Sequence, residues 1–182
     1  PRLHNYWLKE NGIDGVYIPL AVNPENITSV VKSLPKLGFA GVNLTVPHKE
    51  KGMMLVDSVD ELAERVGAIN TILVTEEGLL KGRNTDVFGF KEALDQNTEA
   101  EKIKDGVSVV IGAGGASRAV VVALLELGVR EIRIINRTLK KAEHLATSIG
   151  PIYRPVLLKQ RTQAKSGASL LDNTTTLRKE NQ

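Results

Sequence analysis

Apolar positions recur along the chain in two rhythms, one near 3.6 residues and one of short continuous runs, and the two alternate. Leu3, Tyr6, Trp7 and Leu8 follow Pro1 at helical spacing and stop at Asn11-Gly12. That stretch predicts a helix with proline in its first turn and glycine beyond its end. Val16 to Leu20 reads as a strand, and Asn23-Pro24 opens a second helix through Ile27, Val30, Val31 and Leu34. Phe39 to Val46 reads as strand, Leu55 to Val66 as helical, and Ala68 to Val74 as a further apolar run. A helix carrying Phe88, Phe90 and Leu94 begins near Asp86. Alternation of this kind predicts an α/β fold.

The pattern breaks between Gln96 and Asp105, where Asn97, Thr98, Glu99, Glu101, Lys102 and Lys104 offer little to bury, and a domain boundary is expected there. Beyond it come a strand Val107–Ile111, a glycine-rich turn, a helix ending at Leu127-Gly128, a strand Glu131–Ile135 and a helix from Thr138 to Ile149. This is a βαβα unit. After Pro151 the periodicity fades into Thr- and Lys-rich sequence. The expected architecture is two α/β domains over residues 1–98 and 103–150, with 151–182 an unassigned tail.

Composition narrows the class. The 182 residues are 42% apolar and 25% charged, the balance of an ordinary globular protein with a core. The net charge of +3 is scattered rather than gathered, and one Trp, three Tyr and three Phe are dispersed, which argues against a nucleic-acid partner. The absence of cysteine excludes disulfides, thiolate nucleophiles and Cys-based zinc sites, and suits a reducing cytoplasm. No apolar run is long enough to span a bilayer, and no metal-ligand spacing is visible. The chain opens at Pro1 with neither an initiator Met nor a signal-peptide pattern, so further residues are expected before it.

The candidate chemistry lies in two places. Strand Val107–Ile111 runs into Gly112-Ala113-Gly114-Gly115-Ala116-Ser117, then an apolar helix, which is the context a dinucleotide-binding turn requires. Gly112 permits the tight turn, and Gly114 lets the backbone approach a pyrophosphate that the helix amides then face. Ser117 stands where the strict pattern has Gly or Ala. Where a carboxylate would receive the adenosine ribose, the second strand ends instead in Asn136-Arg137-Thr138, followed by Lys140 and Lys141. A 2′-phosphate would repel a carboxylate but suits an arginine fork, so NADP is favoured over NAD. In the first half, Asn43 and Thr45 share one face of a strand and are followed by Pro47, His48 and Lys49. Asn70-Thr71 and Asn84-Thr85-Asp86 add polar groups at the ends of later elements. Taken singly, each has a bland role as cap, turn or surface charge. His48 is read as structural or peripheral.

Five motifs taken together resemble the shikimate dehydrogenase family. They are Asn43-Leu-Thr-Val-Pro-His-Lys49, Gly67-Ala-Ile-Asn-Thr71, Gly82-Arg-Asn-Thr-Asp86 with Gly89-Phe90, Gly112-Ala-Gly-Gly-Ala-Ser-Arg118 and Asn136-Arg-Thr138. The likeness runs from Pro1 to about Gly150. It implies that residues 1–98 are a substrate-binding domain lacking its N-terminal strand and Ser-containing turn, and that 103–150 are the first half of an incomplete Rossmann-like NADP-binding domain. It also implies NADP-dependent interconversion of 3-dehydroshikimate and shikimate in the cytoplasm, by a monomer or homodimer, on the route to chorismate and the aromatic amino acids. Lys49 and Asp86 become the catalytic pair, and Asn43, Thr45, Lys49, Asn70 and Asp86 hold the substrate. Gly112, Ala113, Gly114, Gly115, Ala116, Ser117, Asn136, Arg137, Thr138 and Lys141 become the cofactor residues. Val87, where the family usually has Gly, is a departure. The competing readings are a quinate/shikimate dehydrogenase and a non-catalytic relative that keeps only NADP or ligand binding.

Overall fold

The computed structural model describes residues 1–97, 103–149, 153–157 and 165–175. The chain forms two lobes. In the first, α1 (Arg2–Glu10), α2 (Ile27–Ser33), α3 (Lys49–Gly52) and α4 (Glu61–Val66) accompany β1 (Gly41–Asn43), β2 (Ser58–Val59), β3 (Thr71–Val74) and β4 (Leu80–Arg83). The sheet order is β1-β3-β4-β2, antiparallel except for the β2–β4 pair. Helix α5 (Asp86–Asn97) leaves this sheet and packs on the second lobe. There, β5 (Val107–Ile111), α6 (Gly115–Glu126), β6 (Glu131–Asn136), α7 (Leu139–Ile149), β7 (Tyr153–Leu157) and β8 (Ala168–Asn173) follow. All four strands are parallel in the order β7-β6-β5-β8, so the chain starts in the middle, winds one way and then crosses to the other side. That is the half-Rossmann arrangement, with its ligand crevice at the carboxyl ends of the central strands.

Each lobe has its own core and they share a third. Ile27, Val31, Leu34, Leu44, Ile69 and Ile72 fill the first lobe, and Val110, Val121, Leu124, Ile132, Ile134 and Leu145 fill the second. Between them, Val66 and Ala68 from one side and Ala119, Val122 and Ala123 from the other meet Val87. This explains why α6 is apolar nearly all round: one flank covers its own sheet and another covers α4 and α5. Each such Val or Leu contributes about 1.5–3 kcal/mol on burial, so the seam holds the lobes in register. Val87, where the family usually has glycine, is buried in this seam.

Four features differ from the expectation. Val16 to Leu20 is extended but forms no strand among the described residues: Asn5 takes both backbone hydrogen bonds of Tyr17, and Val16 remains 73% exposed. Leu55 to Val66 is not one helix. Strand β2 interrupts it, and Asp60 starts α4 by accepting from the Ala63 amide at 2.7 Å. Strand β4 is not marked by the apolar pattern, because Lys81 and Arg83 occupy its exposed positions and Gly82 a buried one. The tail after residue 150, unassigned from the sequence, contributes β7 and β8, which extend the second sheet on both sides. Among the described residues β7 is an edge strand, a position where Pro155 is tolerated, and adjacent Leu170 and Leu171 hide the alternation of β8.

Strand β8 also carries a pH-dependent liability. Burial raises the pKa of the Asp172 carboxyl, and among the described residues its Oδ2 is enclosed with no hydrogen-bond partner. The folded chain therefore binds this proton more tightly than the unfolded chain, so the contribution to stability falls as pH rises from the ordinary carboxylate range through the raised value. Asp172→Asn is expected to raise the melting temperature by about 2 °C near neutral pH and to have no such benefit at about pH 3. Thermal unfolding at the two pH values checks this; an equal shift at both would count against burial as the cause.

Candidate active site

The polar residues of the first lobe converge. Lys49 opens α3 and Asp86 opens α5, and the Lys49 ammonium donates to Asp86 Oδ2 at 2.6 Å, with side chains 13% and 29% exposed. Asn70, 9% exposed at the entry to β3, donates from Nδ2 to Asp86 Oδ1 at 2.8 Å and to Thr85 Oγ1 at 2.9 Å. Its Oδ1 accepts from the Thr85 amide and the Thr71 hydroxyl, both at 3.0 Å. Asn43 at the end of β1 donates to Thr71 Oγ1 at 3.0 Å and accepts from the Tyr17 hydroxyl at 3.0 Å. One hydrogen-bonded chain thus runs from Tyr17 through Asn43, Thr71, Asn70 and Asp86 to Lys49. Buried Asn84 anchors it from below, donating to the Ala68 carbonyl at 2.8 Å while its Oδ1 accepts from the Asp86 amide at 3.0 Å. Every side-chain amide in this row has a partner, which is what keeps so many polar groups tolerable at a lobe interface.

Thr45 stands apart. Strand β1 ends at Asn43, and Thr45 falls in the following turn, exposed rather than on the strand face expected of it. Its carbonyl accepts from the His48 amide across the cis Val46–Pro47 peptide. His48 bonds the Val22 carbonyl through Nε2 at 3.0 Å rather than a member of the row.

The glycine turn sits across the seam. Gly112 has φ +124°, and a side chain there would collide with the Thr174 and Ser117 hydroxyls, so only glycine fits. Those hydroxyls lie 2.5 Å apart; Thr174 also donates to the Ile111 carbonyl at 2.8 Å, and Ser117 accepts from the Gly114 amide at 3.3 Å. Ser117 in place of the third glycine therefore braces the turn from inside. Gly114 faces open space, whereas Gly115 is buried against the first lobe. Ala113 and Ala116 are half-buried beside them.

A cavity of about 520 Å³ opens above this turn, walled by Gly112 to Gly114 on one side and by Asn136, Arg137 and Lys141 on another. Arg137, Thr138 and Lys141 are exposed, and Asn136 fixes the start of α7 by donating to the Thr138 carbonyl at 2.8 Å. Val46 and Glu50, which flank Lys49 in the chain, also line it. The cavity also takes in His144, Arg118, Thr174 and Thr175, which lie outside the cofactor set expected from the sequence. His144 follows Lys140 and Lys141 by one helical turn, a signal that was available; Thr174 and Thr175 required the placement of β8. Among the described residues no group of three or more His, Cys, Asp or Glu could hold a metal, and no helix is long and apolar enough to cross a membrane.

Fold and cleft together define a two-lobed α/β protein of Rossmann type, with the Lys49 stem of the polar row against Gly115 of the glycine turn. Residues 1–72 match the family model of the shikimate dehydrogenase substrate binding domain, and residues 94–168 match that of shikimate / quinate 5-dehydrogenase. The chain belongs to the shikimate dehydrogenase family. It is 51% identical over 177 residues to the shikimate dehydrogenase (NADP(+)) of Paramagnetospirillum magneticum and 46% identical over 182 residues to that of Rhodospirillum rubrum; each alignment takes in 97% of this chain. The chain spans 64% of the length of both relatives. Among solved structures, the shikimate dehydrogenase of Aquifex aeolicus superposes with a TM-score of 0.88 at 32% identity, covering 100% of this chain and 66% of that one. The shikimate 5-dehydrogenase of Thermus thermophilus, solved in complex with NADP(H) and shikimate, gives 0.78 at 39% identity, covering 96% and 62%.

Proposed function

We propose that this chain is the greater part of an NADP-dependent oxidoreductase of the shikimate pathway, interconverting 3-dehydroshikimate and shikimate in the cytoplasm. The single observation that carries the reading is the Lys49–Asp86 pair, held at 2.6 Å within a bonded polar row, with the Lys49 stem lying against Gly115 of the glycine turn. Residues 1–98 act as the substrate-binding domain and those from 103 as the nucleotide-binding domain.

Bound NADP supplies the hydride carrier. The residues present suit it: Gly114 leaves its side-chain position open for close backbone approach, and Arg137 and Lys141 stand exposed on the wall opposite. Gly112 and Ser117 shape the turn, Ala113, Gly115 and Ala116 continue it into α6, and Asn136 and Thr138 set the loop that presents Arg137. In the reducing direction, the Lys49 ammonium donates a proton to the substrate ketone oxygen and stabilises the charge developing there. Asp86 orients that ammonium. Asn43, Asn70 and Thr45 hold the substrate hydroxyls, Asn43 and Asn70 already fixed by their partners and Thr45 exposed just after β1.

The test is a steady-state assay of shikimate with NADP, with quinate and NAD as parallel arms. Turnover confined to shikimate and NADP is expected. Faster turnover of quinate with NAD would replace this reading with that of a quinate/shikimate dehydrogenase, and binding of both ligands without turnover would favour a non-catalytic relative.

A further inference from the structure

Two adjacent glycines of the turn meet different surroundings. Gly114 has nothing within 4 Å of the place a side chain would occupy. At Gly115 the same position lies 2.8 Å from Lys49 Cβ, 3.3 Å from Lys49 Cδ and 3.4 Å from Ala68 Cβ. The first turn of α6 therefore rests directly on the stem of Lys49. Because the nearest atom is a Cβ, close to the backbone, added bulk cannot be relieved by swinging the lysine tip away; α3 or α6 must move. The contact is reinforced one turn along α6. Buried Arg118 donates to the Val66 carbonyl at 3.5 Å, and its Nε lies 3.7 Å from a carboxylate oxygen of Glu50, the residue after Lys49.

We infer that Gly115 is a positioning residue, whose missing side chain sets the spacing between the glycine turn and the Lys49 ammonium. The inference rests on Lys49 being the proton donor, and it gives Gly115 a task other than clearance for a pyrophosphate. A methyl at this site needs a displacement on the order of 1 Å to reach ordinary contact, and a misplacement of that size costs about 100-fold in rate. The substitution does not weaken the helix itself, since alanine is the better helix former.

The experiment compares wild type with Gly115→Ala in three measurements: NADPH dissociation constant by fluorescence, kcat with shikimate, and the rate at which Lys49 is acylated by an amine-reactive ester, read by peptide mass spectrometry. A positioning role predicts NADPH affinity within about twofold, kcat lower by about 10- to 100-fold, and severalfold faster acylation as the stem is uncovered. A raised NADPH dissociation constant with kcat and acylation unchanged would overturn the inference in favour of pyrophosphate clearance. Failure of the variant to fold would overturn it too, making the glycine a packing requirement of the seam. Should wild type bind NADPH but not turn over shikimate, the proposed reaction falls, and the acylation rate alone still decides the role of Gly115.

Discussion

Lys49→Ala is expected to lower kcat by about 1,000-fold, the middle of the range for loss of a positioned general acid, while NADPH affinity stays unchanged. Lys49 and the cavity wall proposed to hold the cofactor belong to different lobes, so its removal is expected to leave Asn136, Arg137 and Lys141 where they are. The variant also leaves Asp86 without its cation, though Asn70 still donates to Oδ1, so the row keeps its shape. Steady-state kinetics with a parallel NADPH titration separates the two quantities. Turnover within about threefold of wild type would show that the ammonium is not the proton source.

Arg137→Ala is expected to weaken NADPH binding by about 10- to 100-fold and to leave NADH binding unchanged. A charge-assisted contact to phosphate contributes about 1.5–3 kcal/mol, and NADH lacks the phosphate that would receive it. Arg137 is exposed, so a change in stability is not expected to confuse the result. Equal losses for both nucleotides would mean that Arg137 reads something common to them, such as the pyrophosphate.

Much of this arrangement was legible in the sequence where local chemistry and tertiary packing agree. The βαβα unit after Asp105 combines apolar strands, a glycine turn and helix caps, and β5, α6, β6 and α7 fall where those signals put them. Lys49, Asp86, Asn43 and Asn70 were singled out by the family resemblance, since taken one at a time each also suits a cap, a turn or a surface charge. Their bonding was not legible: Asn70 and Asp86 lie 16 residues apart and Lys49 and Asp86 lie 37 apart, so only the sheet and the seam make them partners. Tyr17 joins the row through an extended segment whose apolar pattern pointed to a strand. Strand β8 was hidden by its neighbouring leucines, and with it went the two threonines that close the turn. Gly115 could be seen as part of a motif, but only the packing of α6 on α3 separates its surroundings from those of Gly114.

The most direct test of the account is label transfer from shikimate carrying deuterium at the carbinol carbon that is oxidised. With this protein and NADP, deuterium is expected on the nicotinamide ring of the NADPH formed and not in solvent. Binding of both ligands with no label on the nicotinamide would contradict it.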